Sequence, residues 1–230
     1  MSRVTYDPKD LTITVAGVED IEKQLGDLKH KTPAAMKFAI NATARKTRKL
    51  MLDRAKARYA VTAKGREHID ELAQRKKARN TNLMAELYIA SREIDMAYFD
   101  HSPTQVFSGR NVANAPEVVR GRVLKSSPMK PLFGGSNSNA KAFLAEFVSG
   151  HVGMVARQVG SSSPNAVTER GHPRWRTADG RVEKLQTVYA PSGPAMHNTI
   201  WPEVEPTAAE VLQEQLQRRV DMILAKAGKG

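Results

Sequence analysis

The chain has 230 residues, enough for one large domain or two small ones, and its 36 Lys and Arg against 24 Asp and Glu give a formal net charge of +12. It has no cysteine, which excludes disulfides, thiol chemistry and cysteine-based zinc sites. No apolar run approaches the roughly 18 residues of a membrane span, and the N-terminus lacks a signal-peptide run. We therefore expect a cytoplasmic origin and no membrane partner.

The positive charge is concentrated in one segment. Between Lys37 and Arg79 there are 14 Lys and Arg against 4 Asp and Glu, whereas the other residues hold 22 against 20. A nearly neutral protein that carries one basic segment is expected to meet an anionic partner or an acidic neighbouring subunit.

The first third of the chain predicts a strand and two helices. Residues 11–15 alternate and are β-branched, and residues 18–29 form a short acidic helix that Gly26 weakens. Residues 33–59 contain strong helix formers and no internal Gly, and Thr32 with Pro33 suits an N-cap followed by a first-turn proline. The sequence therefore predicts one long helix here.

The long helix presents a cationic surface that could bind an acidic partner or line a DNA channel. The simpler alternative is a solvated helix face without a partner. The lack of aromatic residues for base stacking beside the arginines argues against a sequence-reading nucleic-acid site. The candidate residues are Arg45, Arg48, Lys49, Arg54, Lys56 and Arg58.

The rest of the chain alternates strands with polar loops. Residues 66–77 are expected to continue the helical region, and residues 207–227 form a terminal helix whose Thr207 and Glu210 fit a capping box. The predicted strands cover residues 83–90, 117–124, 141–148, 151–155 and 181–189. The third and fourth form a hairpin across a two-residue Ser149-Gly150 turn.

This order predicts an α+β fold. We expect an antiparallel sheet of about four to five strands packed against the long N-terminal helix and the C-terminal helix, with long loops. The chain is read as a single domain over residues 1–230, with long loop insertions at about 100–139 and 158–181.

No residue pattern predicts catalysis. The histidines are scattered, and no phosphate-binding loop or nucleophile motif is present. Asp95, Asp100 and His101 are close enough in sequence to suggest metal ligands, but a short acidic loop is more often solvated. We expect no metal, no cofactor and no enzymatic activity.

A loop in the second half combines arginines with an aromatic residue, which is typical of interfaces. Arg170, Arg174, Trp175 and Arg176 are therefore a candidate inter-subunit arm, with disorder in the isolated chain as the alternative. The apolar stripe of the terminal helix is most simply core, and packing on a neighbouring subunit is its alternative.

Four stretches in order resemble the minor tail protein Z, or tail-completion (neck), family of long-tailed phages. They are residues 39–51 (AINATARKTRKLM), 87–99 (LYIASREIDMAYF), 141–160 (KAFLAEFVSGHVGMVARQVG) and 188–196 (VYAPSGPAM). They resemble, respectively, the family's first helix, its strand and aromatic turn, its Phe-containing hairpin and its Tyr-x-Pro-Ser-x-Pro segment. The inserts at 100–139 and 158–181 depart from the family pattern.

The resemblance implies a structural virion protein assembled in the bacterial host and located in the tail or neck. It would form a homo-oligomeric ring of roughly six or twelve subunits at the head-proximal end of the tail, with each subunit offering two different surfaces. The implied partners are the tail terminator or tail tube protein and the head-completion or connector protein, with the packaged DNA as a further candidate. The alternative function is that of a basic nucleic-acid-binding protein.

Overall fold

A computed structural model describes residues 3–6, 10–14, 18–69, 72–89, 93–107, 118–132, 142–162 and 183–228. The protein mixes α and β structure, as predicted, with a long N-terminal helix, a C-terminal helix and small antiparallel sheets. The chain divides into two compact units. Unit 1 comprises residues 1–57, 67–92 and 192–230, and unit 2 comprises residues 58–66 and 93–191. The predicted single domain over residues 1–230 stays a prediction.

The early helices of unit 1 follow the predicted order. Helix α1 (Val18–Leu25) ends where Gly26 takes a φ of +53°, a left-handed conformation that glycine adopts without steric cost. A 3-10 turn (Gly26–Lys31) then leads directly into helix α2 (Thr32–Arg58). Thr32 is consequently helical rather than an N-cap, since its N–H donates to the Lys29 carbonyl. The N-cap prediction was wrong because the residues before Thr32 are already helical, as part of the 3-10 turn.

Four strands of unit 1 form an antiparallel sheet. Strands β1 (Arg3–Tyr6), β2 (Asp10–Thr14), β3 (Leu72–Lys76) and β4 (Met84–Ile89) lie in the order β1-β2-β4-β3. Strand β4 buries Ala85, Leu87 and Ile89, the alternate positions that the period of two requires for one covered face. The predicted helix over 66–77 was wrong beyond helix α3 (Arg66–Ile69), because residues 72–76 pair with β4 instead.

The C-terminal helix is longer than predicted. Helix α4 (Gly193–Ala227) begins at Ser192, whose hydroxyl accepts from the Ala195 N–H, and Pro194 occupies the first turn. Pro202 and Pro206 lie four residues apart on its exposed face, where solvent can satisfy the carbonyls that proline leaves unbonded. The predicted start at Thr207 was therefore wrong, and the capping-box pattern lies inside the helix.

Unit 2 is built from short antiparallel ladders. Its strands are β5 (Ile94–Asp95), β6 (Asp100–Ser102), β7 (Arg120–Arg122), β8 (Lys130–Pro131), β9 (Ala142–Glu146), β10 (Val152–Ser162), β11 (Glu183–Thr187) and β12 (Tyr189–Ala190). They form the ladders β11-β10-β9, β6-β7-β8 and β12-β5. Across the described residues the strands thus form four separate small sheets, whereas a single sheet of four to five strands was predicted.

The predicted insertions contain strand structure. Residues 100–102, 120–122 and 130–131 form the β6-β7-β8 ladder inside the first of them. Residues 158–162 of the second belong to β10, where the pairing with β11 shifts register between Gln158 and Ser162. Within the described ranges, no helix is long and apolar enough to cross a membrane.

The β9–β10 hairpin is confirmed, with a longer connection than predicted. The Gly150 N–H donates to the Phe147 carbonyl at 2.8 Å, and the Phe147 N–H donates to the His151 carbonyl at 2.8 Å. Gly150 has a φ of +77°, so the connection is a turn followed by a left-handed glycine, as in a three-residue hairpin loop with a bulge. We call residues 147–150 the hairpin tip.

Candidate functional site

A buried carboxylate organises the base of the hairpin tip. Asp95, at the end of β5, is 7% exposed. Its Oδ1 accepts from the Ala97 N–H at 2.8 Å and from the Met154 N–H at 2.9 Å, which ties the chain after β5 to the middle of β10. Two charge-assisted bonds to backbone amides compensate much of the cost of burying the charge.

The second carboxylate oxygen faces a histidine. His151 Nε2 lies 3.6 Å from Asp95 Oδ2, and His151 Nδ1 lies 3.4 Å from the Tyr98 hydroxyl. The His151 ring also stacks on Phe147, with the ring centroids 5.8 Å apart and the planes 15° from parallel. Both polar contacts are longer than strong hydrogen bonds, so the stacking on Phe147 is the main contact of the imidazole.

Glycine at position 153 leaves room for the cluster formed by Asp95, Tyr98, Phe147 and His151. A Cβ there would lie 2.6 Å from Asp95 Oδ2 and 2.9 Å from Phe147 Cε2. Both distances are closer than carbon and oxygen atoms approach one another in packed proteins. A side chain at 153 would therefore push apart the carboxylate and the aromatic ring.

The hairpin tip itself presents apolar surface. Val148 is 95% exposed and Phe147 is 40% exposed. Valine has no conformational advantage at the second position of such a turn, where proline is favoured. The apolar side chain of Val148 is almost fully solvated and is therefore available to a partner.

The fold separates the three residues that the sequence placed together as possible metal ligands. Asp95 is buried in the cluster above, so the solvated-loop interpretation was wrong for it. Asp100 Oδ2 accepts from Arg122 Nε at 2.7 Å, and His101 Nδ1 lies 2.6 Å from the Phe99 carbonyl oxygen. In the described part of the chain, no group of three or more His, Asp or Glu side chains could hold a metal ion.

The predicted cationic surface of α2 divides between different faces of the helix. At about 100° per residue, Arg45, Lys49 and Lys56 lie along one line, whereas Arg54 and Arg58 lie on the opposite side. Arg48 is half-buried and lies between them; the other five are exposed. The structure thus brings together three of the six predicted residues.

An aromatic residue accompanies the first of these faces, which the sequence interpretation missed. Phe38 lies on the same line as Arg45 and Lys49, seven and eleven residues before them. Phe38 is 48% exposed, with Lys37 Nζ 4.8 Å and Arg219 Cζ 4.7 Å from its ring centroid. Arg219 belongs to α4, so only the spacing of Phe38 from the cations was visible in the sequence.

The candidate inter-subunit arm, with Arg170, Arg174, Trp175 and Arg176, lies outside the described residues. No family model matches the chain, and searches of curated proteins and of solved structures found no significant match.

Proposed function

We propose that this protein is a non-enzymatic structural component of a long-tailed phage virion. It forms a ring at the head-proximal end of the tail, in the neck, and joins the tail to the head connector. The observation that carries the proposal is the hairpin tip, which exposes Val148 and Phe147 within residues 141–160, one of the stretches that resemble the tail-completion family. In a ring, every subunit must present one surface to a different surface of the next.

The cluster under the tip supports this role. Asp95 ties the chain after β5 to β10, and Gly153 leaves the space that Asp95 and Phe147 occupy, so the apolar tip projects from an ordered base. A contact surface that is already ordered loses less conformational entropy when a neighbouring subunit binds. We assign the cluster a positioning role for assembly.

The test is native mass spectrometry of the purified protein at low and high salt. We expect ring-sized oligomers of roughly six or twelve copies that persist in high salt, because an apolar contact is not screened by ions. Val148→Lys should shift the population to monomers without changing the fold, since the wild-type side chain is almost fully exposed. Leu224→Lys, a change at a 40% exposed site on α4, is the matched control and should leave the rings intact.

A basic nucleic-acid-binding protein is the second candidate, and the exposed line of Arg45, Lys49 and Lys56 favours it. A monomer at every salt concentration that binds duplex DNA and releases it as salt rises would replace the ring proposal with this one. Rings that Val148→Lys fails to weaken would contradict the role given to the hairpin tip.

A further inference from the structure

An exposed aromatic ring between two cations is the feature that the proposed ring role leaves unused. Phe38 is exposed on α2 with the ammonium of Lys37 and the guanidinium of Arg219 within 5 Å of its ring centroid. Arg219 Nε is also buried without a hydrogen-bond partner in the described part of the chain. If Phe38 belonged to the core, its ring would be covered. If the helix face only contacted solvent, an aromatic residue would not be expected there.

The ring continues into a line of positive charge. Phe38, Arg45 and Lys49 fall within about 20° of one line along the helix, over about 16 Å of its axis. We call these three residues, with Lys37 and Arg219, the stacking stripe. Arg45 and Lys49 are both exposed.

The helix that carries most of the stripe has little negative charge. Asp53 is the only acidic residue of α2, against eight Lys and Arg. Glu214 of α4 lies 3.7 Å from Lys46, so its charge is already matched by a lysine that is not part of the stripe. The stripe therefore presents a net positive surface that attracts polyanions.

We propose that the stacking stripe binds single-stranded nucleic acid, with a base on Phe38 and backbone phosphates on Arg45 and Lys49. An aromatic ring beside a row of cations is how proteins hold single strands without reading their sequence. A duplex keeps its base faces stacked, so it could use the cations but not the ring. An acidic protein surface would likewise leave Phe38 without a partner.

A base that stacks on Phe38 takes the place of the Lys37 ammonium. Lys37 is on a flexible stem and turns to the adjacent phosphate, while the planar Arg219 guanidinium stays against the ring. Nothing in this inference depends on the neck role, since every residue of the stripe lies in unit 1 and the hairpin tip lies in unit 2.

The experiment compares two fluorescent probes of equal length and charge, an oligo-dT and an oligomer of abasic deoxyribose phosphates. We expect the full-length protein to bind oligo-dT about tenfold more tightly than the abasic probe. Phe38→Leu keeps the apolar volume and removes the aromatic face, so it should abolish this preference. Lys49→Gln should weaken binding of both probes by the same factor and reduce the salt dependence.

Equal affinity of the wild-type protein for both probes would overturn the proposal. Binding would then depend only on charge, and an acidic protein surface could bind the stripe in the same way. Retention of the oligo-dT preference by Phe38→Leu would overturn it as well. Because Phe38 is exposed, a thermal denaturation midpoint close to that of the wild type confirms that the variant is folded.

Discussion

At the scale of single residues, the side chains of Asn41 and Asp95 act as partners for backbone groups. In unit 1, Asn41 Oδ1 accepts from the Ala78 N–H at 2.9 Å and Asn41 Nδ2 donates to the Ala78 carbonyl at 3.0 Å. In unit 2, Asp95 accepts from the amides of Ala97 and Met154. Each side chain ties together segments distant in sequence where no neighbouring strand supplies the bonds.

Two glycines of the hairpin should respond differently to substitution, because one is required for space and the other for conformation. Gly153→Ala places a methyl group against Asp95 Oδ2 and Phe147, and we expect it to lower the free energy of unfolding by about 2 kcal/mol. Gly150→Ala meets no atom within 4 Å and costs only its φ of +77°, about 1 kcal/mol.

Asparagine separates the two causes, since it tolerates the left-handed conformation but needs more space than alanine. Gly150→Asn should be more stable than Gly150→Ala, whereas Gly153→Asn should be less stable than Gly153→Ala. Urea denaturation of the four variants measures this order. If the Asn variant were more stable than the Ala variant at position 153 as well, crowding would not be the reason why position 153 requires glycine.

At the scale of elements, local pattern predicted α2 well and α4 poorly. Helix α2 has strong helix formers without a break, so its bounds were within one residue of the prediction. Helix α4 was shortened in the prediction because Thr207 and Glu210 fit a capping box, whereas the helix runs through Pro202 and Pro206, which both lie on its exposed face. Strand β3 was read as helix because its pairing with β4 is not local.

Helix α2 buries three hydroxyl groups without a hydrogen-bond partner among the described residues, those of Thr32, Thr43 and Thr47, and the last two lie in its interior. The Oγ1 atoms of Thr43 and Thr47 are buried, and neither has a hydrogen-bond partner in the part of the chain that the structure describes. Replacing either threonine by valine keeps the shape and removes the cost of the unpaired polar atom. We expect Thr43→Val and Thr47→Val each to raise the free energy of unfolding by about 1 kcal/mol, as measured by urea denaturation.

Thr62→Val is the matched control, since that threonine is fully engaged. Its Oγ1 donates to the Tyr98 carbonyl at 3.0 Å and accepts from the Gly65 N–H at 3.2 Å. The substitution should lower stability by about 1 kcal/mol, the reverse sign of the changes in α2. Destabilisation by all three substitutions would indicate that the α2 hydroxyls have partners after all.

At the scale of the whole molecule, the sequence located the charge but not the side chains that act with it. The excess of Lys and Arg between residues 37 and 79 marked α2 as the basic surface. Phe38 was missed because Arg219 reaches its ring from α4 at the other end of the chain. Likewise Asp95 was grouped with its sequence neighbours Asp100 and His101, whereas the fold places it against His151.

Stability at acidic pH should depend on one buried histidine of α4. His197 is 1% exposed, and burial lowers its pKa from 6.5 to about 4. As pH falls below about 6.5 the unfolded chain takes up a proton that the folded protein does not, so stability decreases until His197 is also protonated near pH 4. The loss from this residue reaches about 3 kcal/mol.

Urea denaturation followed by far-UV circular dichroism, at pH 7 and at about pH 4.5, measures this loss. His197→Leu cannot be protonated, so its difference in stability between the two pH values should be smaller than that of the wild type by about 2 kcal/mol. His30→Gln, at an exposed histidine, should keep the wild-type difference. If His197→Leu also shows the wild-type difference in stability between the two pH values, another group causes the acid sensitivity. Burial of a neutral His197 would then not be the reason why the protein loses stability at low pH.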